Sequence, residues 1–147
     1  ILIMVNKWDL IEKDHKTHDD YKKEVLEKTT PFTFIPIMFT SVINKKRINQ
    51  VLELTVDIYK ERQKKVSTSK LNEAILPEIE KYPPPAVKGK YIKIKYITQL
   101  PTKTPTFAFF CNLPQYIKSA YERYLENKIR QHFGFEGVPI KLVFRKK

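Results

Sequence analysis

Asn6, Lys7 and Asp9 form the pattern Asn-Lys-x-Asp directly after five apolar residues, residues 1–5. Guanine presents two donors on one edge, the ring N1–H and the exocyclic amine, and a single carboxylate such as Asp9 can accept both. Adenine has an acceptor at N1 and would leave Asp9 unpaired, which costs about 1–3 kcal/mol in a pocket. Asn6 can bridge loops and the base, and the Lys7 stem can cover the purine face. The spacing predicts a guanine-binding loop; the alternative is a strand that ends in a polar turn.

Two apolar segments would position this loop. Residues 1–5 show no alternation, which predicts a strand buried on both faces in a parallel sheet covered by helices. A second apolar run, residues 34–40, predicts the neighbouring strand and is followed by Ser41 and Val42. Ligands of open α/β sheets bind beyond the carboxyl ends of the strands, where these polar groups fall. Helices are predicted over two further segments, residues 19–28 and residues 47–64.

These residues resemble a known family. Asn6-Lys7-Trp8-Asp9 resembles the fourth guanine-binding motif of translation-factor-type GTPases. The run that ends at Thr40-Ser41 resembles the fifth motif, in which the amide after a serine contacts guanine O6. Along the whole chain, the order of segments resembles the C-terminal part of the bacterial double-GTPase family called Der or EngA. The closest similarities lie in Tyr82-Pro-Pro-Pro85, Lys88–Tyr96, Thr98-Gln99, Tyr121–Asn127 and Phe133–Gly137.

The resemblance implies a fold and a role. The fold would be an α/β fragment, the C-terminal portion of a P-loop GTPase domain with parallel strands, followed by an α+β two-layer KH-like domain. The role would be a nucleotide-dependent switch in maturation of the large ribosomal subunit. GTP or GDP would be the cofactor of the intact protein, with magnesium bound by parts absent from this chain. The implied partners are the large ribosomal subunit or ribosomal RNA, and the remaining GTPase domains of the same protein.

The resemblance also implies which residues contact guanine. Asn6, Lys7 and Asp9 would contact the base, while Ser41 and the backbone amide of Val42 would close the pocket. Family members usually carry alanine at the position of Val42. The added bulk of valine is therefore expected to weaken or reshape base binding.

A phosphate-binding loop is missing from the sequence. Such a loop needs the pattern Gly-x4-Gly-Lys-Ser/Thr, whose glycine amides approach phosphate. The chain has three glycines, and the pair Gly89-Lys90 is followed by Tyr91, with Pro84 where the first glycine would stand. We therefore expect no catalytic residue here: the chain could bind a guanine base but could not hydrolyse GTP. Since residue 1 is Ile, we also expect a fragment of a longer protein.

Basic residues are unevenly distributed along the chain. The formal charge is +12 with a pI near 9.7, which favours a polyanionic partner. Residues 1–65 carry 13 Lys and Arg against 10 Asp and Glu, whereas residues 66–147 carry 15 against 6. Most of the excess positive charge therefore lies in the second part.

The single cysteine, Cys111, cannot form an internal disulfide, which favours a reducing cytoplasm. We expect it to be buried in a strand and inert. No apolar run approaches the length of a membrane span, and residues 1–5 do not resemble a signal peptide. The expected location is therefore cytoplasmic, without a membrane partner.

The predicted boundary divides the chain into residues 1–65 and 66–147, at a short polar segment. Ser69 is the predicted N-cap of a helix over residues 70–81, which contains Pro77. A longer helix is predicted over residues 115–133, ended by Gly134. Strands are predicted over three segments, residues 90–100, 106–111 and 139–145. The order helix, strand, strand, helix, strand predicts a two-layer α+β domain with its helices on one sheet face.

Alternation along these strands puts four cations on the face opposite Ile92, Ile94 and Tyr96, namely Lys93, Lys95, Lys141 and Arg145. RNA contact would come from phosphate neutralisation, which depends strongly on salt and weakly on sequence. The candidate RNA-binding residues are Lys88, Lys90, Lys93, Lys95, Lys141, Arg145, Lys146 and Lys147. Gly134-Phe-Glu-Gly137 matches the GxxG loop of RNA-binding KH domains. Only Val138 separates it from the last strand, so we interpret it as a turn.

Several alternatives remain open. His15 and His18 could be imagined as a metal site, but a solvated loop is the simpler interpretation. Pro83 to Pro85 could be a polyproline ligand, although they also stop the preceding helix. Two further functions compete with the GTPase fragment: a stand-alone, non-enzymatic RNA-binding module, and a protein-interaction module whose sheet packs on a GTPase domain.

Overall fold

The computed structural model describes residues 1–12, 14, 16–87 and 89–146. The chain folds into two compact units. The first unit comprises Ile1–Glu61 and Glu136–Val138, and the second comprises Arg62–Phe135 and Pro139–Lys147. The predicted boundary between residues 65 and 66 stays a prediction.

The first unit is a small α/β structure. Its strands and helices are β1 Ile3–Val5, α1 Thr17–Thr29, β2 Ile37–Phe39 and all but the last two residues of α2 Ile48–Gln63. The two strands pair in parallel, with Ile3 opposite Ile37 and Val5 opposite Phe39. Parallel pairing brings the carboxyl ends of both strands to the same edge of the sheet.

The apolar residues of the first unit are less buried than predicted. Met4 in the middle of β1 is 47% exposed, so the prediction of a strand buried on both faces was wrong. A sheet of two strands has too little area to be enclosed in this unit. On α2, Leu52 and Tyr59 are also exposed, while Val51, Leu54 and Ile58 are half-buried.

The second unit has two layers. Its elements are α3 Thr68–Lys81, β3 Ile94–Leu100, β4 Thr106–Cys111, α4 Ser119–Phe133 and β5 Lys141–Lys146. The sheet order is β3-β4-β5; β3 is antiparallel to β4, and β5 is parallel to it. The fully buried side chains come from both helices and the sheet and include Leu71, Ile75, Ile97, Phe107, Phe109, Leu125 and Ile129. The predicted fold class, α/β followed by two-layer α+β, is confirmed.

Helix ends follow local capping chemistry. The N-cap of α3 is Ser67, whose Oγ accepts from the Lys70 amide at 3.4 Å, so the prediction of Ser69 was wrong. Ser69 lies in the first turn, where its hydroxyl donates to Glu73 at 2.8 Å. The predicted end of α4 is confirmed: Gly134 has φ 84° and its amide donates to the Arg130 carbonyl at 2.8 Å.

A register shift in β3 changes which side chains share a face. Ile94 lies opposite Cys111, and the next paired residue, Tyr96, lies opposite Phe110. The intervening residue interrupts the alternation, as β-bulges do. Ile97 is fully buried and Tyr96 is half-buried, so the prediction that Tyr96 shares a face with Ile94 was wrong.

Among the described residues, no helix is long and apolar enough to cross a membrane.

Candidate guanine-binding loops and basic sheet

The loops that follow β1 and β2 lie side by side. The Thr40 amide donates to the Val5 carbonyl at 2.8 Å, and the Trp8 amide donates to the Thr40 carbonyl at 3.0 Å. These two bonds continue the parallel pairing beyond the strand ends. They hold the Asn-Lys-x-Asp loop against the segment that carries Ser41 and Val42.

Asn6 joins the two loops through its side chain. Its Oδ1 accepts from the Val42 amide at 3.2 Å, although the two residues are 36 positions apart. Ser41 is buried, and its Oγ accepts from the Asn44 amide at 3.3 Å, which folds the second loop back on itself. The structure therefore brings together Asn6, Ser41 and Val42, three of the five predicted guanine contacts.

Lys7 and Asp9 are positioned by a tight turn. Lys7 has φ 62°, a left-handed conformation, and its carbonyl accepts from the Leu10 amide at 3.0 Å. Asp9 lies in this 3₁₀ turn and is half-buried. The exposed Lys7 side chain leaves its aliphatic stem accessible to a planar ligand.

Trp8 anchors the turn, a role that the sequence analysis missed. Its side chain is only 7% exposed, and its ring centroid lies 4.4 Å from that of Phe39 and 5.4 Å from that of Tyr21. Packing of this ring fixes the backbone on both sides of it, and thus Lys7 and Asp9. The signal was a large aromatic residue at the variable position of the motif.

The residues present fit the base of a guanine nucleotide. A carboxylate at Asp9 matches the two guanine donors, and the Val42 amide can offer a hydrogen to O6. That amide already donates to Asn6, so a bound base would share the donor or displace the bond. None of these groups is the lysine of a glycine-rich phosphate-binding loop. They therefore fit the base of the nucleotide rather than its phosphates.

The metal-site alternative is only partly within the described residues, because His15 lies outside them. The ring of His18 lies 4.8 Å from that of Phe39, and its Nδ1 is 3.2 Å from Asp19. In the described part of the chain, no cluster of three or more His, Cys, Asp or Glu residues could hold a metal ion.

The candidate RNA-binding residues of the second unit are exposed. This applies to Lys90, Lys93, Lys95, Lys141, Arg145 and Lys146. Two further candidates, Lys88 and Lys147, lie outside the described residues. Exposure leaves these cationic groups available to phosphate, but it does not by itself define a site.

One row of side chains crosses the sheet next to these cations. Tyr96, Phe110 and Arg145 are successive partners on β3, β4 and β5, so their side chains point to the same face. The rings of Tyr96 and Phe110 are stacked, with centroids 4.4 Å apart and planes 9° apart. Lys141 lies two positions from Val143 and four from Arg145, on the same face of β5. Tyr96 and Phe110 therefore add aromatic groups to the sheet face that carries Lys141 and Arg145.

The second unit is an α+β domain of the KH-like class, with two helices and a three-stranded mixed sheet in the order helix, strand, strand, helix, strand. The profile of a family described as "KH-domain-like of EngA bacterial GTPase enzymes, C-terminal" matches residues 65–145. The chain belongs to this family of KH-like domains of EngA bacterial GTPases, and the predicted resemblance is confirmed.

Relatives in several bacteria match along the whole chain. The proteins named GTPase Der of Cytophaga hutchinsonii, Amoebophilus asiaticus and Flavobacterium psychrophilum are 57%, 54% and 54% identical to it over 147 residues. The match covers 100% of this chain and 34% of each relative. The chain thus spans about a third of the length of the curated relatives it matches.

Proposed function

We propose that this chain is the base-recognition part of a GTPase domain joined to a KH-like domain, within a protein that acts as a nucleotide-dependent switch. The process would be ribosome biogenesis, specifically assembly of the large subunit. The observation that carries the proposal is the hydrogen bond from the Val42 amide to Asn6, which joins two motifs at the carboxyl ends of parallel strands. Relatives named GTPase Der, similar over all 147 residues, support it.

The proposed domain boundary lies between residues 65 and 66, and the family match that begins at residue 65 supports it. Asn6, Lys7 and Asp9 would bind the guanine of GTP or GDP, and Ser41 and Val42 would close the pocket. Phosphates and magnesium would be held by other parts of the whole protein, which would also supply the hydrolysis. We further propose a cytoplasmic location, supported by a single buried cysteine without a disulfide partner.

Guanine recognition can be tested on the chain itself. Amide NMR spectra would be recorded while GDP is added at millimolar concentration, with ADP as the matched control. We expect shifts at Asn6, Asp9 and Val42 with GDP and none with ADP, because only guanine offers two donors to Asp9. Equal shifts with both nucleotides, or none with either, would contradict the proposal.

We also propose that the second unit contacts ribosomal RNA through its exposed cations. The surplus of 15 basic over 6 acidic residues in residues 66–147 supports this. Binding of a ribosomal RNA fragment should weaken steeply as salt rises, because phosphate contacts release counterions. Replacing Lys93, Lys95 and Lys141 by Gln should weaken binding and lower the salt slope by about one per lost contact.

A matched control keeps the same change of net charge. Lys16, Lys22 and Lys23 are exposed in the first unit, at and within α1. Their replacement by Gln should leave the salt slope nearly unchanged if the contact is specific to the second unit. Equal effects of both triple variants would contradict an RNA site in the KH-like domain.

A stand-alone RNA-binding or protein-interaction module is the competing candidate. An antibody against the second unit, used on source cells, would distinguish the two through the mass of the native protein. A species several times larger than 17.5 kDa supports the GTPase proposal. A species at 17.5 kDa would overturn it and favour the module.

A further inference from the structure

A cavity in the second unit is lined mainly by aromatic residues. Its volume is about 390 Å³, and its lining residues are Tyr82, Pro85, Lys118, Ala120, Tyr121 and Tyr124. It lies where the segment after α3 passes the beginning of α4. None of these residues belongs to the candidate guanine contacts or to the candidate RNA-binding residues named above.

The three tyrosines of this cavity are held in fixed positions. The Tyr121 hydroxyl donates to the Tyr82 carbonyl at 2.8 Å, and the Tyr124 hydroxyl donates to the Glu78 carbonyl at 3.0 Å. The Tyr82 ring lies 6.2 Å from that of Tyr121, with planes 24° apart, and 5.1 Å from that of Tyr124. Pro83 follows directly and restricts the backbone.

Tyr82 nevertheless presents much of its ring to solvent. It is 56% exposed, whereas Tyr121 is 3% exposed. The Tyr82 carbonyl is held by the Tyr121 hydroxyl, and its ring packs on two other tyrosine rings. An exposed aromatic side chain that is already packed in this way can stack on a planar ligand at little cost in conformational entropy. The rings of Tyr121 and Tyr124 pack against this ring.

The charges near the cavity favour an anionic ligand. Lys118 is exposed and lines the cavity. On α3, Glu78, whose backbone carbonyl accepts from the Tyr124 hydroxyl, is paired with Lys128 at 2.6 Å and with Lys81 at 3.4 Å, so its charge is already compensated. A ligand that combines a planar ring with a phosphate would satisfy both Tyr82 and Lys118.

We propose that this cavity holds one unstacked nucleobase of a single-stranded RNA, stacked on Tyr82, with an adjoining phosphate at Lys118. The inference rests on the proposed RNA contact of the second unit and adds a base-dependent site to it. Aromatic stacking accepts any base, because every base has a π face, so the site gives affinity without strong sequence preference. A proline-rich peptide could also pack on tyrosines, but it would not use the positive charge around them.

The test uses the 147-residue chain and a short single-stranded RNA that contains 2-aminopurine, whose fluorescence is quenched on stacking. Three variants are compared: Tyr82→Phe, Tyr82→Leu and, as a matched control at another exposed tyrosine of the same unit, Tyr91→Leu. Tyr82→Phe and Tyr91→Leu should bind like wild type. Tyr82→Leu should lose the quenching and bind about fivefold or more weakly, with an unchanged salt slope.

A second probe does not depend on any variant folding. A fully abasic strand of the same length carries the same phosphates but no bases, and it should bind wild type about fivefold or more weakly than the base-containing strand. Equal binding of the two strands, or an unaffected Tyr82→Leu, would overturn the base site while leaving the phosphate contact standing. No binding of either strand would overturn the proposed RNA contact as well. If a proline-rich peptide binds at Tyr82 and RNA does not bind there, the base site is overturned in favour of a peptide site.

Discussion

The side-chain amide of Asn72 on α3 hydrogen-bonds both backbone polar groups of Ile97 on β3. Its Oδ1 accepts from the Ile97 amide at 2.9 Å, and its Nδ2 donates to the Ile97 carbonyl at 2.9 Å. β3 is an edge strand of the three-stranded sheet, and backbone groups at an edge require partners. Asn72 thus takes the place that a residue of a neighbouring strand would occupy.

Asn72→Asp should destabilise the second unit. A carboxylate keeps the acceptor for the Ile97 amide but offers no donor to the Ile97 carbonyl, which then faces an oxygen. We expect the free energy of unfolding to fall by about 1–3 kcal/mol, measured by urea denaturation. Asn127→Asp, at an exposed position of α4, is the matched control. Equal midpoints for both variants would contradict the role of Asn72.

The strand β4 shows where sequence patterns were sufficient. It was predicted over residues 106–111 and is observed there. A dense apolar run bounded by Pro105 and by Asn112-Leu-Pro114 leaves little choice of bounds. β3 was different, because its register shift depends on how Ile94 and Tyr96 pair with β4. The alternation of residues 92–96 does not indicate this shift, and the only departure from it in the sequence is the pair of adjacent apolar residues Tyr96 and Ile97.

The candidate guanine site could likewise be predicted from the sequence only in part. The spacing of Asn6, Lys7 and Asp9 predicts the chemistry because each side chain would have a defined role toward guanine under the proposed function. The bond between Asn6 and Val42 joins residues 36 positions apart, and only the parallel pairing of β1 and β2 brings them together. An aromatic residue at position 8 is evident in the sequence, but its packing on Phe39 was not predicted, because the motif defines the ligand contacts and not the residues that support them.

Cys111 should resist thiol reagents in the folded chain. It is fully buried in β4, and burial raises the pKa of its thiol, so little thiolate is available at neutral pH. Labelling with a chromogenic disulfide should be slow in buffer and rapid in denaturant. Ser119→Cys combined with Cys111→Ala is the control, since Ser119 is exposed and should be labelled at once. Rapid labelling of Cys111 in buffer would contradict the observed burial.

Glu78 should make stability depend on acidic pH. Its hydrogen bond with Lys128, aided by Lys81, holds the pKa of the carboxyl below its ordinary value of 4.5. A lowered folded pKa stabilises the protein above the unfolded pKa, and this stabilisation is lost as pH falls through the folded pKa. Glu78→Gln should therefore lose less Tm than wild type between about pH 6 and about pH 3.

The matched control for this variant is Glu80→Gln, which removes an exposed carboxyl from the same helix. It should follow the wild-type pH dependence. If acidification lowers the Tm of Glu78→Gln and of wild type by the same amount, the pair with Lys128 does not contribute to the loss of stability at acidic pH.

Val42→Ala should strengthen guanine binding under the proposed function. The Val42 amide takes part in the loop contact with Asn6, while its side chain is 52% exposed on the same short loop. Removing two methyl groups should relieve crowding at the base edge by roughly 1 kcal/mol. NMR titration with GDP measures this, and Ile43→Ala, at a position 82% exposed, should leave the affinity unchanged. Weaker GDP binding by Val42→Ala would contradict the expected crowding.

Asp9→Asn should exchange guanine for xanthine as the preferred base. The carboxylate of Asp9 can accept from the guanine N1–H and amine, whereas an amide directs a donor at the amine and leaves that group without an acceptor. Xanthine carries a carbonyl in place of the amine, so the amide of the variant can accept from its ring N–H and donate to its carbonyl. In NMR titrations of the variant, the shifts caused by GDP should disappear and shifts caused by xanthosine diphosphate should appear. Relative to wild type, the affinity for each nucleotide should change by about tenfold or more. Asp19→Asn, an exposed change of the same kind in α1, should retain the guanine preference. If Asp9→Asn retains GDP binding, Asp9 does not contact the base, and the guanine site must be assigned to other residues.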